Sequence, residues 1–403
     1  MKIDLLEKIE GEAYLEFKTD GDEIVDVRVL FPHFRGVENI LVGKDAWDAL
    51  VINPRVCGIC GHAHLQATAS LLESIYRIEI TQKAQLIREI TRFCEIIQNH
   101  LKWCYLVIFQ ELQIPYDFTT MHQTIALVNK LLALFSGQWP HSAYAIPGGV
   151  TCDPTALDIV KAKQIRAQIQ SNIFKLFGSF EDPKKLEKDL KKLYETLHAK
   201  DLLSVGIGLN RFITLSQDSY VENVKILNKK KRKTKLRYIK EIGQSDSYAK
   251  NVTYNNRFYE TGPLARLLQN PDFFIRYFYR KYKDSIFTRI IARIYEINIL
   301  IKKIEHHLNS IDLNQLSVVE IEKKDGEGAI SIEAARGSLV HKAIIAEGKI
   351  ENYSIITPTQ WNLSNGSSDN PSSIQKAIIG LQDRKIANLI FRSFDICSVC
   401  TTH

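Results

Sequence analysis

The stretch "NPRVCGICGHAH", residues 53–64, contains a CxxC pair and two histidines, and it decides the architecture. The CxxC spacing lets two sulfurs on one tight turn bind the same ion. One such pair supplies only half of a four-thiolate site. The same cysteine spacing returns in "SFDICSVCTTH", residues 393–403, at the opposite end of the chain. If both pairs bind one metal, the C-terminus must be buried at the centre of the fold.

Two other uses of CxxC remain open at this point. A structural zinc site of the Cys₄ type usually has its pairs about 15–20 residues apart and staples a domain that lacks a core. A redox-active CxxC next to a strand and a helix would need only one pair. The other cysteines, Cys94, Cys104 and Cys152, have no such spacing, and we expect them to be small buried hydrophobic residues.

Length and composition are those of a large globular protein. The chain has 403 residues, of which 45% are hydrophobic and 25% charged, so it can bury a sizeable core. No apolar stretch approaches the roughly 20 residues that span a bilayer. The start, "MKIDLLEKIEGEAYLEF", lacks the apolar centre of a secretory signal peptide. We therefore expect no membrane span in this chain.

The cysteines and the net charge indicate the cellular compartment and the class of partner. Seven cysteines without an export signal favour reduced thiols or metal ligands in the cytoplasm, where partners could still attach the protein to a membrane. The net charge of +7 is modest. The basic run at residues 228–241 reads as a solvated hairpin or, less simply, as a docking site for an acidic partner. No nucleic-acid motif accompanies it, so no nucleic-acid partner is expected.

The hydrophobic periodicity predicts an α+β fold that is predominantly helical, with small β-sheets near both ends. Alternation around an Asp-Gly turn predicts a β-hairpin over about residues 9–31, and β-like runs return over about 328–357. Helical spacing recurs over about 65–77, 81–112, 123–136, 155–177, 183–199, 271–308, 371–380 and 384–392. Asn270 and Pro271 predict the start of the helix over 271–308.

We expect residues 1–403 to form one domain, because neither an internal repeat nor a low-complexity linker divides the sequence. Its predicted parts follow the chain: the N-terminal hairpin and first CxxC (1–60), a long-helix bundle (61–200), an irregular excursion (201–260), a helical part (261–310), and β elements with the second CxxC (311–403).

The motifs resemble those of nickel-iron hydrogenase large subunits. "RVCGICGHAH" fits the RxCGxCxxxH signature of that family, and "FDICSVCTTH" fits its DxCxxCxxH ending. Five further stretches match in order, so the resemblance covers essentially the whole chain: "KIEGEAYLEF", "FRGVEN", "IPGGV", "EAARGSLVHK" and "TPTQWN". The resemblance implies reversible heterolytic cleavage of H₂ at a buried bimetal site. An H₂-sensing regulatory subunit with slow turnover is the alternative, and a zinc-binding scaffold relative is a third reading.

The resemblance also implies the ligands of that site. Cys57 and Cys397 would be terminal nickel ligands, and Cys60 and Cys400 would bridge nickel to an iron that carries carbon monoxide and cyanide. Soft thiolates suit nickel, and a thiolate sulfur has lone pairs to spare for a second metal.

Four more residues match positions around the metals. By resemblance, His64 hydrogen-bonds a bridging thiolate, and Arg336 binds one cyanide on the open side of the site. Thr359 takes the place of the hydroxyl residue that binds the other cyanide. Asp395 would pair with Arg336.

Proton transfer and a second metal are implied in the same way. A proton would pass from a terminal thiolate, Cys397, to Glu10 in "KIEGEA". Glu38 in "FRGVEN" and the last residue, His403, match ligands of a hard-metal site that usually holds magnesium, for which a carboxylate is a more typical ligand than an imidazole.

The chain departs from the family pattern at three places. Ile396 and Ala335 stand where the family usually has proline, which loosens the backbone without removing a ligand. The aspartate that the family carries in the long helix after the first motif has no clear counterpart, although Glu111 lies near its place. Precursors of the family commonly carry a tail after the last histidine, and this sequence ends at that histidine, His403.

The expected partner is an iron–sulfur small subunit. Four cysteines are committed to the bimetal site, and Cys94, Cys104 and Cys152 are too few for a four-cysteine cluster. Electrons from H₂ would therefore need a carrier on another chain.

Overall fold

The computed structural model describes residues 2–5, 11–216, 225–227, 232–270 and 272–401. For Cys400 it describes the backbone and not the side chain. Glu10, His403 and the first part of the basic run, residues 228–231, lie outside the described residues. The predictions for these positions therefore stay predictions.

Helices dominate the chain, as the periodicity predicts. The α-helices are α1 Val37–Leu41, α2 Ala49–Ile52, α3 Gly61–Tyr76, α4 Gln82–Lys102, α5 Phe118–Ser136, α6 Ala156–Phe177, α7 Pro183–Asp189, α8 Lys191–Ala199, α9 Pro263–Gln269, α10 Phe273–Tyr282, α11 Ile286–Ser310, α12 Pro358–Asn362, α13 Ser373–Ile378, α14 Arg384–Ser393 and α15 Ser398–Thr401. None of the helices within the described ranges has the length and apolar character needed to cross a membrane.

The strands form small antiparallel sheets. They are β1 Lys2–Leu5, β2 Tyr14–Asp20, β3 Glu23–Leu30, β4 Ala145–Ile146, β5 Gly149–Val150, β6 Phe212–Ile213, β7 Lys225–Leu227, β8 Arg232–Lys233, β9 Ile239–Ile242, β10 Asn251–Tyr254, β11 Gly326–Ala334, β12 Gly337–Ala346 and β13 Lys349–Ile356. The sheets have the orders β1-β2-β3, β4-β5, β6-β7-β8, β10-β9 and β11-β12-β13. The predicted hairpin near the N-terminus is β2–β3, and the 328–357 runs form the last sheet.

The long helices begin at residues whose side chains cap them. The hydroxyl of Thr81 accepts a hydrogen bond from Ala84 N at 3.1 Å, which satisfies a free N–H at the start of α4. Thr155 and Asp158 form a capping box at the start of α6. Helix α4 continues directly into a π-helical segment, Trp103–Phe109. Helices α4, α5, α6 and α11 pack on one another and form the bundle.

The helix predicted over 271–308 is in fact two helices, so this prediction is wrong in detail. Lys283 has φ 56° and ψ −150°, a positive-φ conformation outside the helical region, and it ends α10. The hydroxyl of Ser285 then caps α11 by accepting from Thr288 N at 3.3 Å. The cap of α10 is Asp272, whose carboxylate accepts from Phe274 N at 2.7 Å, and not the predicted Asn270.

One hydrophobic core contains residues from both ends of the chain. It runs from Ala13 in the N-terminal segment to Cys397, and Cys57 and Cys60 belong to it. Helix α3, which starts just after Cys60, packs against α4 on one side and against β11 and β12 on the other. Cys397 of the last motif therefore lies inside the protein, as a site shared by both CxxC pairs requires.

A buried network of ion pairs joins α9, α11 and β11. The guanidinium of Arg266 pairs with Glu296 at 2.7 Å and with Glu333 at 3.1 Å, and all three side chains are fully buried. Arg266 also donates to the carbonyl oxygens of Ala334 and Ala335 at 2.9 and 3.2 Å, at the tip of the β11–β12 hairpin. Burial alone would raise the pKa of Glu296, but the charge and hydrogen bonds of Arg266 lower it to about 2.

We expect Arg266→Met to lower the free energy of unfolding by about 3–5 kcal/mol, because it leaves two carboxylates buried without their cation. Chemical unfolding followed by circular dichroism measures the change. The matched control is Lys191→Met, which removes an exposed pair with Glu195 and should cost no more than about 0.5 kcal/mol. Equal stability losses in the two variants would contradict the role given to the network.

Candidate metal centre

The first CxxC turn is fixed by the short helices around it. A 3₁₀ turn, Asn53–Val56, ends at Cys57, which is extended with φ −145° and ψ 133°. Cys60 then precedes the first residue of α3, Gly61. A Cβ on Gly61 would lie 2.9 Å from the carbonyl oxygen of Pro54, so only glycine allows this close approach.

The second CxxC turn follows the end of α14. Asp395 has φ 61°, a left-handed conformation that turns the chain back into the core. Cys397 is fully buried, and α15 begins at the next residue. The hydroxyl of Thr401 donates to the carbonyl oxygen of Cys397 at 2.7 Å.

The two turns bring cysteines from opposite ends of the chain together. The Sγ atoms of Cys57 and Cys397 lie 3.4 Å apart and are both buried, which is too far for a disulfide bond of about 2.05 Å. The N–H of Ile59 donates to Cys57 Sγ at 3.4 Å. Two soft donors facing each other fit a thiophilic metal such as nickel. No three His, Cys, Asp or Glu side chains form a metal-binding group within the described residues, which do not include the Cys400 side chain.

Arg336 and Asp395 meet beside the thiols. Arg336 occupies the β11–β12 turn, and its Nε and Nη2 lie 3.1 and 3.0 Å from Asp395 Oδ1. Burial alone would lower the pKa of Arg336, but Asp395 and then the thiolates of Cys397 and Cys60 raise that pKa above the usual arginine value. Arg336 is therefore a cation in the site. Its Nη1 is buried and has no hydrogen-bond partner among the described residues.

A narrow cavity opens next to these groups. Its walls combine thiols, a guanidinium, a hydroxyl and apolar side chains: Cys60, His64, Leu339, Arg336, Thr359 and Cys397 are among its lining residues. The hydroxyl oxygen of Thr359 accepts from the N–H of Cys397 at 3.2 Å, so its own hydrogen remains available to donate. A small acceptor ligand on a metal would find the Arg336 Nη1 and the Thr359 hydroxyl as donors.

His64 lies at the start of a buried hydrogen-bond chain. Its Nδ1 is 3.1 Å from His341 Nε2, and His341 Nδ1 is 2.8 Å from the hydroxyl of Tyr353. Asn53 donates to the same hydroxyl at 2.8 Å. The chain holds the ring of His64 on the cavity wall that Cys60 also lines. His341 is part of the "EAARGSLVHK" match, but the sequence assigned it no role.

Arg35 is a second residue that the sequence did not single out. Its Nη1 donates to the carbonyl oxygens of Val56 and, at 3.0 Å, of Val399, while Nη2 donates to Arg55 at 3.1 Å. It thus joins the backbone just before Cys57 to the backbone inside the second CxxC pair. The only sequence signal for Arg35 is its place in the matched stretch "FRGVEN".

The predicted hard-metal site is only partly within the described residues. Glu38 lies in α1, where its carboxylate accepts from Ile355 N at 2.7 Å and lies 3.3 Å from the ammonium of Lys250. Its predicted companion, His403, is outside the described residues, as is Glu10.

His62, which matches no family position, and Glu111 contact side chains outside the two CxxC turns. His62 is buried in α3 against Tyr144, with ring centroids 5.0 Å apart, and burial lowers its pKa to about 4. Glu111 forms an ion pair with Arg392.

Two of the three remaining thiols are buried as predicted. Cys94 and Cys104 are fully buried, and burial raises the pKa of both thiols. Cys152 is partly exposed, which corrects the prediction for that residue.

Comparisons of the sequence and of the fold with known proteins both find hydrogenases. The sequence profile described as "nickel-dependent hydrogenase" matches residues 35–109 and 207–403. The chain is 24% identical to the periplasmic [NiFeSe] hydrogenase large subunit of Desulfomicrobium baculatum, covering 100% of this chain and 94% of the relative. It is also 24% identical to sulfhydrogenase 1 subunit alpha of Pyrococcus furiosus, covering 100% and 97%. The solved Ni-Fe-Se hydrogenase from D. vulgaris Hildenborough superposes with a TM-score of 0.87 at 21% identity, covering 100% and 99%.

Proposed function

The chain belongs to the nickel-dependent hydrogenases, as a catalytic large subunit and an oxidoreductase that acts on H₂, and on this premise we propose that it cleaves H₂ reversibly at a nickel–iron site held by its two CxxC turns. The observation that carries the proposal is the 3.4 Å approach of Cys57 Sγ to Cys397 Sγ. When bound, the metals would supply the Lewis acidity and the redox change for converting H₂ into two protons and two electrons.

The four cysteines would hold the metals. Cys57 and Cys397 are proposed as terminal nickel ligands, and Cys60 and Cys400 as ligands shared with iron. Cys60 supports this assignment because it lines the cavity together with Cys397. The side chain of Cys400 is assigned on the motif alone.

Two further residues, Arg336 and Thr359, would hold the iron's small ligands. Carbon monoxide and cyanide need a tight pocket with few donors, and the cavity offers the Arg336 guanidinium, the Thr359 hydroxyl and apolar walls. Asp395 fixes Arg336 through two contacts to one carboxylate oxygen. His64 would hydrogen-bond the Cys60 thiolate, and both side chains line the cavity.

Cys397 and Glu10 are proposed to move the proton. Arg336 is a poor base because its raised pKa keeps it protonated, so a terminal thiolate is the better first acceptor. The neighbours of Glu10 along the chain support its place. A Cβ on Gly11 would lie 2.8 Å from a side-chain carbon of Val399, and Ser398 donates to the carbonyl oxygen of Glu12.

Glu10→Gln should therefore slow H/D exchange by about 10²–10⁴-fold while nickel and iron stay bound, because glutamine keeps the shape of glutamate without its acid–base function. Exchange of D₂ with water, together with metal content, measures this. The matched control is Glu12→Gln, which alters an exposed carboxylate bonded to His33 and should exchange normally. Normal exchange in Glu10→Gln would show that the proton leaves by another path.

We also propose a partner subunit, a cellular compartment and a second metal site. We propose an iron–sulfur small subunit as the electron acceptor, in keeping with the large-subunit and alpha-subunit names of the relatives. The cytoplasm is proposed from cysteine usage, although one relative is named as periplasmic. The motifs are the basis for proposing a magnesium site at Glu38 and His403. The carboxylate of Glu38 lies 3.3 Å from the ammonium of Lys250.

The activity test is H₂-dependent reduction of a viologen dye by the complex purified through this chain under anaerobic conditions. The proposal predicts rapid reduction that requires H₂. Slow dye reduction would instead favour the H₂-sensing alternative. No reduction by a nickel-loaded complex would contradict the assignment as an enzyme.

A further inference from the structure

Helix α4 carries two buried polar residues, one turn apart, that both contact the first CxxC segment. Glu95 is 1% and Asn99 4% exposed. Neither belongs to a matched motif, and neither lies near the two CxxC turns in sequence. They contact the backbone on the two sides of Cys60.

Glu95 binds the start of α3, directly after Cys60. Its Oε2 accepts from the N–H of His62 at 2.9 Å, and its Oε1 accepts from the N–H of Ala63 at 3.0 Å. A carboxylate at this place also interacts favourably with the positive end of the helix. The indole N–H of Trp139 donates to Oε2 at 3.0 Å, so all three neighbours are donors.

That set of partners needs an acceptor-only group. An ionised carboxylate has two oxygens that accept and no hydrogen that would face a donor, whereas an amide brings an NH₂ group of its own. Burial raises the pKa of Glu95 to about 7, whereas the hydrogen bonds from Trp139 and from the N–H of His62 lower this pKa and so favour the ionised form that three donors require.

Asn99 binds the other side of the same cysteine. Its Nδ2 donates to the carbonyl oxygen of Ile59 at 2.6 Å and to the carbonyl oxygen of Glu95 at 2.8 Å. The peptide group between Ile59 and Cys60 is thereby fixed in direction. Ile59 also donates its N–H to Cys57 Sγ, so a rotation of this segment would move both thiols.

We propose that Glu95 and Asn99 are positioning residues that set the direction of the Cys57 and Cys60 thiolates toward the metals. This inference rests on the proposed function, because it takes the two thiolates to be nickel ligands. Hydrogen-bond partners that orient ligands usually change metal affinity or activity when they are removed. Glu95 and Asn99 contact the main chain that carries the ligands, and both residues lie on one helix of the bundle.

Two variants test the inference. Glu95→Gln places an amide among three donors, and Asn99→Leu keeps the branched shape of the side chain but removes the donor to Ile59. The matched control is Glu89→Gln on the same helix, where a buried carboxylate bonds His307 at 2.7 Å and Gln85 at 2.8 Å, away from both cysteines. The readouts are the rate of nickel loss to a chelator, the midpoint potential of the nickel, and the thermal unfolding temperature of the purified complex.

We expect both variants to lose nickel about 10- to 100-fold faster than the wild type and to shift the nickel midpoint potential, while Glu89→Gln changes neither. If Glu95→Gln does not fold, Asn99→Leu decides alone. A lower unfolding temperature with unchanged nickel loss and potential would overturn the inference, since that is the result of a merely structural role. A wild-type complex without nickel would instead overturn the proposed function, and the inference with it.

Discussion

Cys397→Ser and Cys57→Ser should each lose nickel and H₂ oxidation together, and these are the largest effects expected for single substitutions. Serine offers a hard oxygen that is rarely deprotonated, so it is a poor substitute for a soft thiolate on nickel. Removing the partners of a metal ligand already costs about 10- to 100-fold in metal affinity, and loss of the ligand itself should exceed that. Elemental analysis and dye reduction of the purified complex measure both.

The matched control for these variants is Cys152→Ser. Cys152 is partly exposed, and its Sγ donates to the carbonyl oxygen of Leu134 at 3.5 Å, away from both CxxC turns. Its nickel content and activity should equal those of the wild type. Full H₂ oxidation by Cys397→Ser with nickel still bound would refute the ligand assignment.

Arg336→Met should lower the rate of H₂ oxidation by about 10²–10³-fold, which is the usual effect of removing one preorganised donor from an active site. The guanidinium is a permanent cation beside the thiols, and its Nη1 has no protein partner among the described residues. Methionine fills most of the volume but supplies neither charge nor donor. Steady-state dye reduction at saturating H₂ measures the change.

The substitution also leaves Asp395 buried without its main partner, because Arg293 Nε is 3.9 Å from the carboxylate. The double variant Arg336→Met/Asp395→Asn separates the two effects. It should recover much of the stability, since no unpaired carboxylate remains, but none of the activity. Recovery of activity in the double variant would show that Arg336 serves only to neutralise Asp395.

The sequence predicted the elements that have a strong local pattern. The two CxxC motifs, the helical spacing of α3 to α6 and the alternating strands around an Asp-Gly turn each depend on neighbouring residues. The break between α10 and α11 was missed because no proline or glycine marks it. Lys283 adopts a positive φ there, and Asp284 accepts from the N–H of Gly208 at 3.1 Å, a contact that no local pattern reveals.

The proposed ligands carry a clearer sequence signal than the residues proposed to orient them. Cysteine pairs are rare and carry their chemistry in their spacing, whereas Arg35, Glu95 and Asn99 are common residue types that act through backbone contacts across 20 to 364 positions. Such contacts exist only after the bundle has formed. A single sequence therefore suggests candidate metal donors, whereas the residues proposed to orient them emerge only from the structure.

The central claim is that the two CxxC turns hold a nickel–iron pair, and an infrared spectrum of the complex purified through this chain tests it most directly. Carbon monoxide and cyanide bound to iron absorb where protein does not. The account predicts these bands in the wild type and their loss in Cys397→Ser. A folded complex that shows none of the bands and carries zinc in the four-cysteine site would contradict it.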